Sequence, residues 1–557
     1  MSDYYDVGSY RRPVSAASAA GQRWFDRGLL WRYGFNHEEA IRCFGAATAQ
    51  DSGCAMAFWG LAYASGPYYN KRWEDFDEVD LRATLLATRR ATDAALALLD
   101  GATPVERALI GALDRRYRSD QPASIEELHT WNDAYAAAMR EVYIAFPDDR
   151  DVCALFAEAL MNRTPWQLWD LATGKPAQGA DTLEAVAVLE RALLLGDERG
   201  DEPHPGLLHF YIHVMEMSPH PERALRASDA LRDLNPDLGH LRHMPSHIDL
   251  LCGDYQAALV ANGRAIVADQ HYVAREGTLN FYTLSRCHDY HFKLYAALFL
   301  GQFRPALDAA DALSATIPES LLRVTTPPMA DWLEGFVPMR AHVLVRFGKW
   351  EELLAEPLPD DQELYCATTA ILHYAKGVAH AALGQVAEAE AAQERFSAAV
   401  ARVPATRTLF NNTYADILAI AGAMLRGEIA YRRGEHDAAF AELRAAVALD
   451  DTLPYDEPWG WMQPVRHALG ALLLEQGRVE EAAQVYRADL GLDATLSRAA
   501  QHPNNVWSLH GYVECLRRLG QDAEAATWQP RLDLALARAD PGIGASCFCR
   551  VGERCCE

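Results

Sequence analysis

The 557-residue chain has no basic surplus: 52 lysines and arginines stand against 77 aspartates and glutamates, a formal net charge of −25. Nucleic-acid phosphates need a basic surface, so the composition excludes nucleic acid as a partner. The acidic residues are spread over many segments rather than gathered in one block, an arrangement that serves solubility. No run reaches the roughly eighteen apolar residues that a membrane helix needs, and the opening MSDYYDVGSYRRPVS has no apolar leader core. The expectations are no membrane partner and a cytoplasmic location. Runs of β-branched residues and polar–apolar alternation are scarce, which argues against sheet. A phosphate-binding glycine loop, a dinucleotide fingerprint and a serine, cysteine or aspartate triad motif are all missing. Kinase, NAD-dependent and hydrolase readings are therefore without support.

Half of the residues are apolar, with alanine and leucine dominant, so a large core is available. A single core rarely grows beyond about 250–300 residues, so several domains or a repeat array is expected. Repeats are present: a helix, a short turn carrying glycine, then a second helix opened by a small residue. FNHEEAIRCFGAATAQD at Phe35, LLCGDYQAALVANGRAI at Leu250, LFLGQFRPALDAADAL at Leu298 and LEQGRVEEAAQVYRADL at Leu474 show the pattern. Anchor residues fall at Ala40, Ala224, Ala258, Ala306, Leu353, Ala389, Ala439, Ala482 and Ala525. These segments resemble tetratricopeptide repeats of the stand-alone bacterial type, over most of the chain from Phe35 to Leu536. The resemblance implies an all-α helical-repeat solenoid with a groove for a ligand. From Ala224 onward the anchor spacings run from 34 to 50 residues, mostly longer than the family's usual repeat of about 34, so irregular repeats are expected. The expected divisions are an N-terminal segment (1–34), N-terminal repeats (35–200), central repeats with the histidines (201–400), C-terminal repeats (401–540) and a cysteine-rich tail (541–557).

Histidines keep register with the anchors. His209, His243, His291, His467 and His510 each lie fifteen residues before an anchor, His213, His247 and His342 eleven before, and His240 and His288 eighteen before. The offsets differ by three and four residues, which places side chains on one stripe of a helix. In the resembled family these positions line the groove. Glu216 falls on the stripe of His209 and His213 at i, i+4 and i+7, a spacing that lets two imidazoles share an ion while a carboxylate ligates or orients one of them. Pro245 suits the first turn of a helix, so that helix is expected to begin near Met244, with His240 and His243 in the preceding loop.

Imidazole-rich sites suit copper, zinc, iron and nickel rather than calcium or magnesium. His209, His213, His243, His247, His288 and His291 are the candidate ligands, with Glu216 and His240 as catalytic groups that ligate or move protons. His342, His467 and His510 are expected to line the groove around them. Cys547, Cys549, Cys555 and Cys556 crowd into the last eleven residues and can hold a soft ion as thiolates. The other seven cysteines are scattered singly, as buried thiols are. Copper, with iron and zinc as alternatives, then points to an oxidoreductase acting on a small molecule in the groove. Two other readings stand beside it: a scaffold for a peptide or protein partner, which the family resemblance implies, and a metal store or carrier. Two aromatic insertions, RTPWQLWD and YDEPWGWMQP, either plug hydrophobic gaps or wall a pocket.

Overall fold

The computed structural model describes residues 4–16 and 18–550. The fold is all-α: helices follow one another from Ala19 to Arg538, and among the described residues strands are limited to two short hairpins, Trp169–Asp170 with Lys175–Pro176 and Thr408–Leu409 with Asn412–Thr413. No described helix is long and apolar enough to cross a membrane.

The helices pair as the repeats predict. Cys366–Ala382 with Val386–Val400, Tyr414–Arg432 with His436–Asp451, Val465–Glu475 with Val479–Asp489 and Val506–Arg518 with Asp522–Arg538 are helix–turn–helix hairpins. Each turn closes alike: Gly434 at φ 79 and Gly477 at φ 71 take the left-handed conformation that ends a helix. The next residue then donates its N–H five residues back, Glu435 to Ala430 at 3.0 Å and Arg478 to Leu473 at 2.9 Å. All the anchor residues are buried. All but Leu353 are alanine, because the paired helices cross closely; a Cβ placed on Gly427 would sit 2.9 Å from Leu443 Cγ and 3.3 Å from the Ala439 carbonyl. The architecture is a tetratricopeptide-like helical repeat with irregular spacing.

The chain forms two compact units, residues 1–248 with 264–282, and residues 249–263 with 283–557. In the first, the helix Pro205–Glu216 is buried along its whole length, as an apolar helix inside a protein must be. Its start is pinned from both sides. His204 accepts the Leu207 N–H at Nδ1, and its Nε2 donates to Asp151 Oδ1 at 3.1 Å. Asp151 also receives Tyr33 Oη, Tyr10 Oη and Arg12. Burial alone would raise the Asp151 pKa, but the Arg12 and His204 charges hold it well below the usual carboxylate range.

In the second unit, residues 540–550 leave the helices and lie across the first helices of successive pairs. Arg346 donates to the Ser546 carbonyl at 3.3 Å, and the Ser546 hydroxyl donates to the His467 carbonyl at 3.2 Å. Arg432 donates to the Cys549 carbonyl. Arg550 meets Glu514 through two bonds of 2.8 and 3.0 Å. The Phe548 ring packs edge-on to Trp507.

Candidate metal centre

Five histidines and one carboxylate are brought together within the first unit. His209, His213 and Glu216 come from Pro205–Glu216, His240 and His243 from the short helix Gly239–His243, and His247 from Pro245–Cys252. All six are buried. His240 and His243 therefore sit on a helix, not in the loop expected from Pro245. Met244 takes helical angles, φ −49 and ψ −38, against the usual bias before proline, and its N–H donates to the His240 carbonyl. The two short helices thus run on with hardly a break, keeping both imidazoles in register with His247.

Fixed partners decide which nitrogens are available. His209 Nδ1 lies 2.6 Å from the Tyr33 carbonyl oxygen, so that nitrogen carries the hydrogen and Nε2 keeps its lone pair. His213 Nδ1 is 3.0 Å from Glu216 Oε1, and His247 Nδ1 is 2.9 Å from Glu216 Oε2. One carboxylate thereby orients two imidazoles, the outer-sphere arrangement that fixes metal-binding histidines. Burial would raise the Glu216 pKa, but the two imidazoles it faces bring it down to about 2. Burial, and next the neighbouring His213, push the His209 pKa well below its ordinary value; burial likewise lowers that of His213 against the pull of Glu216. Both rings are neutral at pH 7, the form that binds metals.

The Nε2 atoms converge. His209 Nε2 is 3.1 Å from His240 Nε2, and His243 Nε2 is 2.8 Å from His247 Nε2. One ligand atom from each of His209, His213 and His240 falls within a 4.8 Å span. A tetrahedral ion with bonds of 2.0–2.1 Å holds its nitrogens about 3.3 Å apart, so small side-chain shifts complete a three-imidazole site. His213 Nε2 is buried and has no protein partner, and a neutral imidazole acceptor left so is unfavourable without a ligand. On that observation and on the donor chemistry, the residues fit a transition-metal ion.

No protein-family model matches this chain, and no curated protein does. Among solved structures it is similar to the human IFIT1 dimer with m7Gppp-AAAA, at 10% identity over 95% of this chain and 92% of that one, TM-score 0.32. It is also similar to yeast Tom70, at 11% identity over 94% and 92%, TM-score 0.30. Likeness this weak leaves the architecture to be read from the chain's own helices.

The remaining predicted residues lie in the second unit. His288 packs edge-on against Phe292 and Phe410, while His291 Nε2 is 2.8 Å from Met462 Sδ. Burial and the nearby His342 lower the His291 pKa to about 3. His342 is buried edge-on to Trp461. His467 Nε2 pairs with Asp489 at 3.0 Å, and Asp489 also accepts from His502, Asn505 and Ser508. His510 lies on the helix Val506–Arg518, where burial lowers its pKa. Cys547 and Cys549 are joined by a disulfide, and in that form they offer no thiolate. Cys555 and Cys556 lie outside the described residues.

Sequence spacing did not point to the aromatic walls. Phe35 stacks on the rings of His213 and His240 at 5.6 and 5.2 Å, and Tyr69 and Trp166 close on His213 at 4.9 and 6.0 Å. Trp166 belongs to an aromatic insertion the sequence singled out, and its ring lies beside His213.

Proposed function

We propose that the first unit is the protein part of a transition-metal centre, with His209, His213 and His240 as ligands and His243 and His247 as a second imidazole pair beside them. The observation that carries this is His213 Nε2: buried, neutral, its tautomer set by Glu216, and without a protein partner. Copper is the first choice, because nitrogen sites bind it most tightly among the divalent first-row ions; iron and zinc follow. The tail does not add to that choice, its two described thiols being tied in a disulfide. A bound copper ion would supply one-electron redox chemistry, and the reaction class is oxidation of a small molecule with dioxygen as the electron acceptor. The chain's own residues hold the imidazoles in one tautomer through Tyr33 and Glu216 and exclude water through Phe35, Tyr69 and Trp166.

The test is elemental analysis of untagged protein from cells given copper, iron and zinc. A stoichiometric ion in the wild type and its loss in the double variant His209→Ala, His213→Ala is the expected result. Metal-free wild-type protein sinks the proposal.

A second reading, a peptide-binding scaffold, is favoured by the second unit. There a non-helical segment already lies across successive first helices, with its carbonyls taken by Arg346 and Arg432. Its test is the shortened chain ending at Asp540: a synthetic peptide of residues 541–550 should bind it saturably and fail to bind the full chain.

A further inference from the structure

A cavity of about 360 Å³ lies within the first unit, among Phe35, His37, Tyr68, Lys71, Phe76 and Phe281. The size suits a small organic molecule. Its wall on one side is Phe35, the residue that also covers the histidines, with its ring centre 4.5 Å from that of His209. Phe35 has φ 55, a left-handed conformation that a bulky side chain keeps only where its surroundings hold it, and which recurs at ligand sites. A single phenyl ring therefore stands between the cavity and the imidazoles.

The lining states what would fit. Five phenylalanine and tyrosine side chains line the space, so a flat ring is matched by stacking and edge contacts. Two buried polar atoms of the lining have no protein partner, the Asn36 Nδ2 donor and His37 Nε2; the acceptor of the two is the histidine. His37 Nδ1 is 2.8 Å from the Ala64 carbonyl oxygen and so donates to it, leaving Nε2 as an acceptor that is buried and has no protein partner. The His37 ring lies flat on Tyr68, with centres 3.7 Å apart. Burial, with the Arg32 charge behind it, keeps this imidazole neutral. Charge recognition is absent: Lys71, the cation in the cavity's described lining, is tied to Asp80 at 2.5 Å and lies over the Phe76 ring. Glu38 accepts the Phe281 N–H at 3.2 Å. The cavity thus asks for an aromatic ring with one hydrogen-bond donor and no negative charge.

We propose that this cavity binds a small neutral phenol, its ring among Phe35, Phe76 and Phe281 and its hydroxyl donating to His37 Nε2, and that such phenols are the substrate class of the neighbouring histidine centre. The substrate role rests on the metal reading; the binding does not.

The experiment titrates p-cresol, toluene and benzoate into the full-length protein by calorimetry, with and without copper. One hydrogen bond to an otherwise unpartnered buried acceptor predicts saturable p-cresol binding about tenfold tighter than toluene, with benzoate weaker than both. In His37→Ala, p-cresol should fall to the level of toluene while toluene is unchanged, and His37→Gln, which restores an acceptor, should recover part of the difference. Equal binding of p-cresol and toluene to the wild type, or no saturable binding of either, overturns the proposal without recourse to a variant. Retained p-cresol preference in a chain that takes up no metal supports the cavity and removes the copper centre. Metal uptake without p-cresol binding supports the centre and removes the cavity.

Discussion

Glu216 sits between two imidazoles, and its charge decides which of their nitrogens is free. Replaced by glutamine, it would turn an N–H₂ group toward one Nδ1–H, and that ring must then switch tautomer and protonate Nε2. Glu216→Gln is expected to weaken metal binding by about 10–100-fold, read by competition with a chelator. A second single-residue prediction concerns Asp450. Burial, despite the Val465 N–H it accepts, lifts its pKa to about 7, above the roughly 3.9 of an unfolded chain. Between those values the folded state holds a proton that the unfolded state lacks, so stability falls as pH rises from about 4 to 7. Asp450→Asn keeps an acceptor for the Val465 N–H but loses the one for Trp459 Nε1, which retains the Asp450 backbone carbonyl at 3.2 Å. Its stability relative to the wild type should therefore rise by a few kcal/mol, on the order of 1.4 kcal/mol per unit of pKa shift, as urea unfolding is moved from pH 4 to pH 8; a difference independent of pH removes the assignment. The histidines themselves were legible in the sequence because offsets of three and four residues survive translation into a helix face. Their partners were not: the Tyr33 carbonyl lies 176 positions from His209, and a backbone oxygen has no sequence signature.

Among the elements, the hairpins were legible because two local demands recur together, a left-handed turn that favours glycine and a close crossing that excludes large side chains. That pairing makes a sharp prediction. Ala439 is fully buried against the Gly427 helix, while Ala438 beside it is exposed. Ala439→Leu should cost about 1–3 kcal/mol of unfolding free energy by overpacking, and Ala438→Leu close to nothing; equal effects would refute the close-crossing account. The stretch Gly239–His243 was misread for an equally local reason. A proline argues for a helix start, and only the packing around Met244 holds the preceding residue in helical angles. Gly239 belongs to that packing, since a side chain there would collide with Asp269.

Over the whole molecule the histidine register serves more than one role. Five of its members meet around Glu216 in the first unit, whereas in the second His467 serves a buried carboxylate, Asp489, that gathers four donors. The same helix-face position recurs because the repeat recurs, and each repeat gives it different company. His467→Ala should therefore leave metal content unchanged while lowering Tm, since Asp489 loses a partner it was buried against; metal loss in that variant would contradict the division. The complete burial of the six clustered side chains also has a consequence in time. An ion held there reaches solvent only when the covering side chains or helices open, so its transfer to a strong chelator is set by the opening rate of the protein. Release should be first order, indifferent to chelator concentration, and as steeply dependent on temperature as local unfolding.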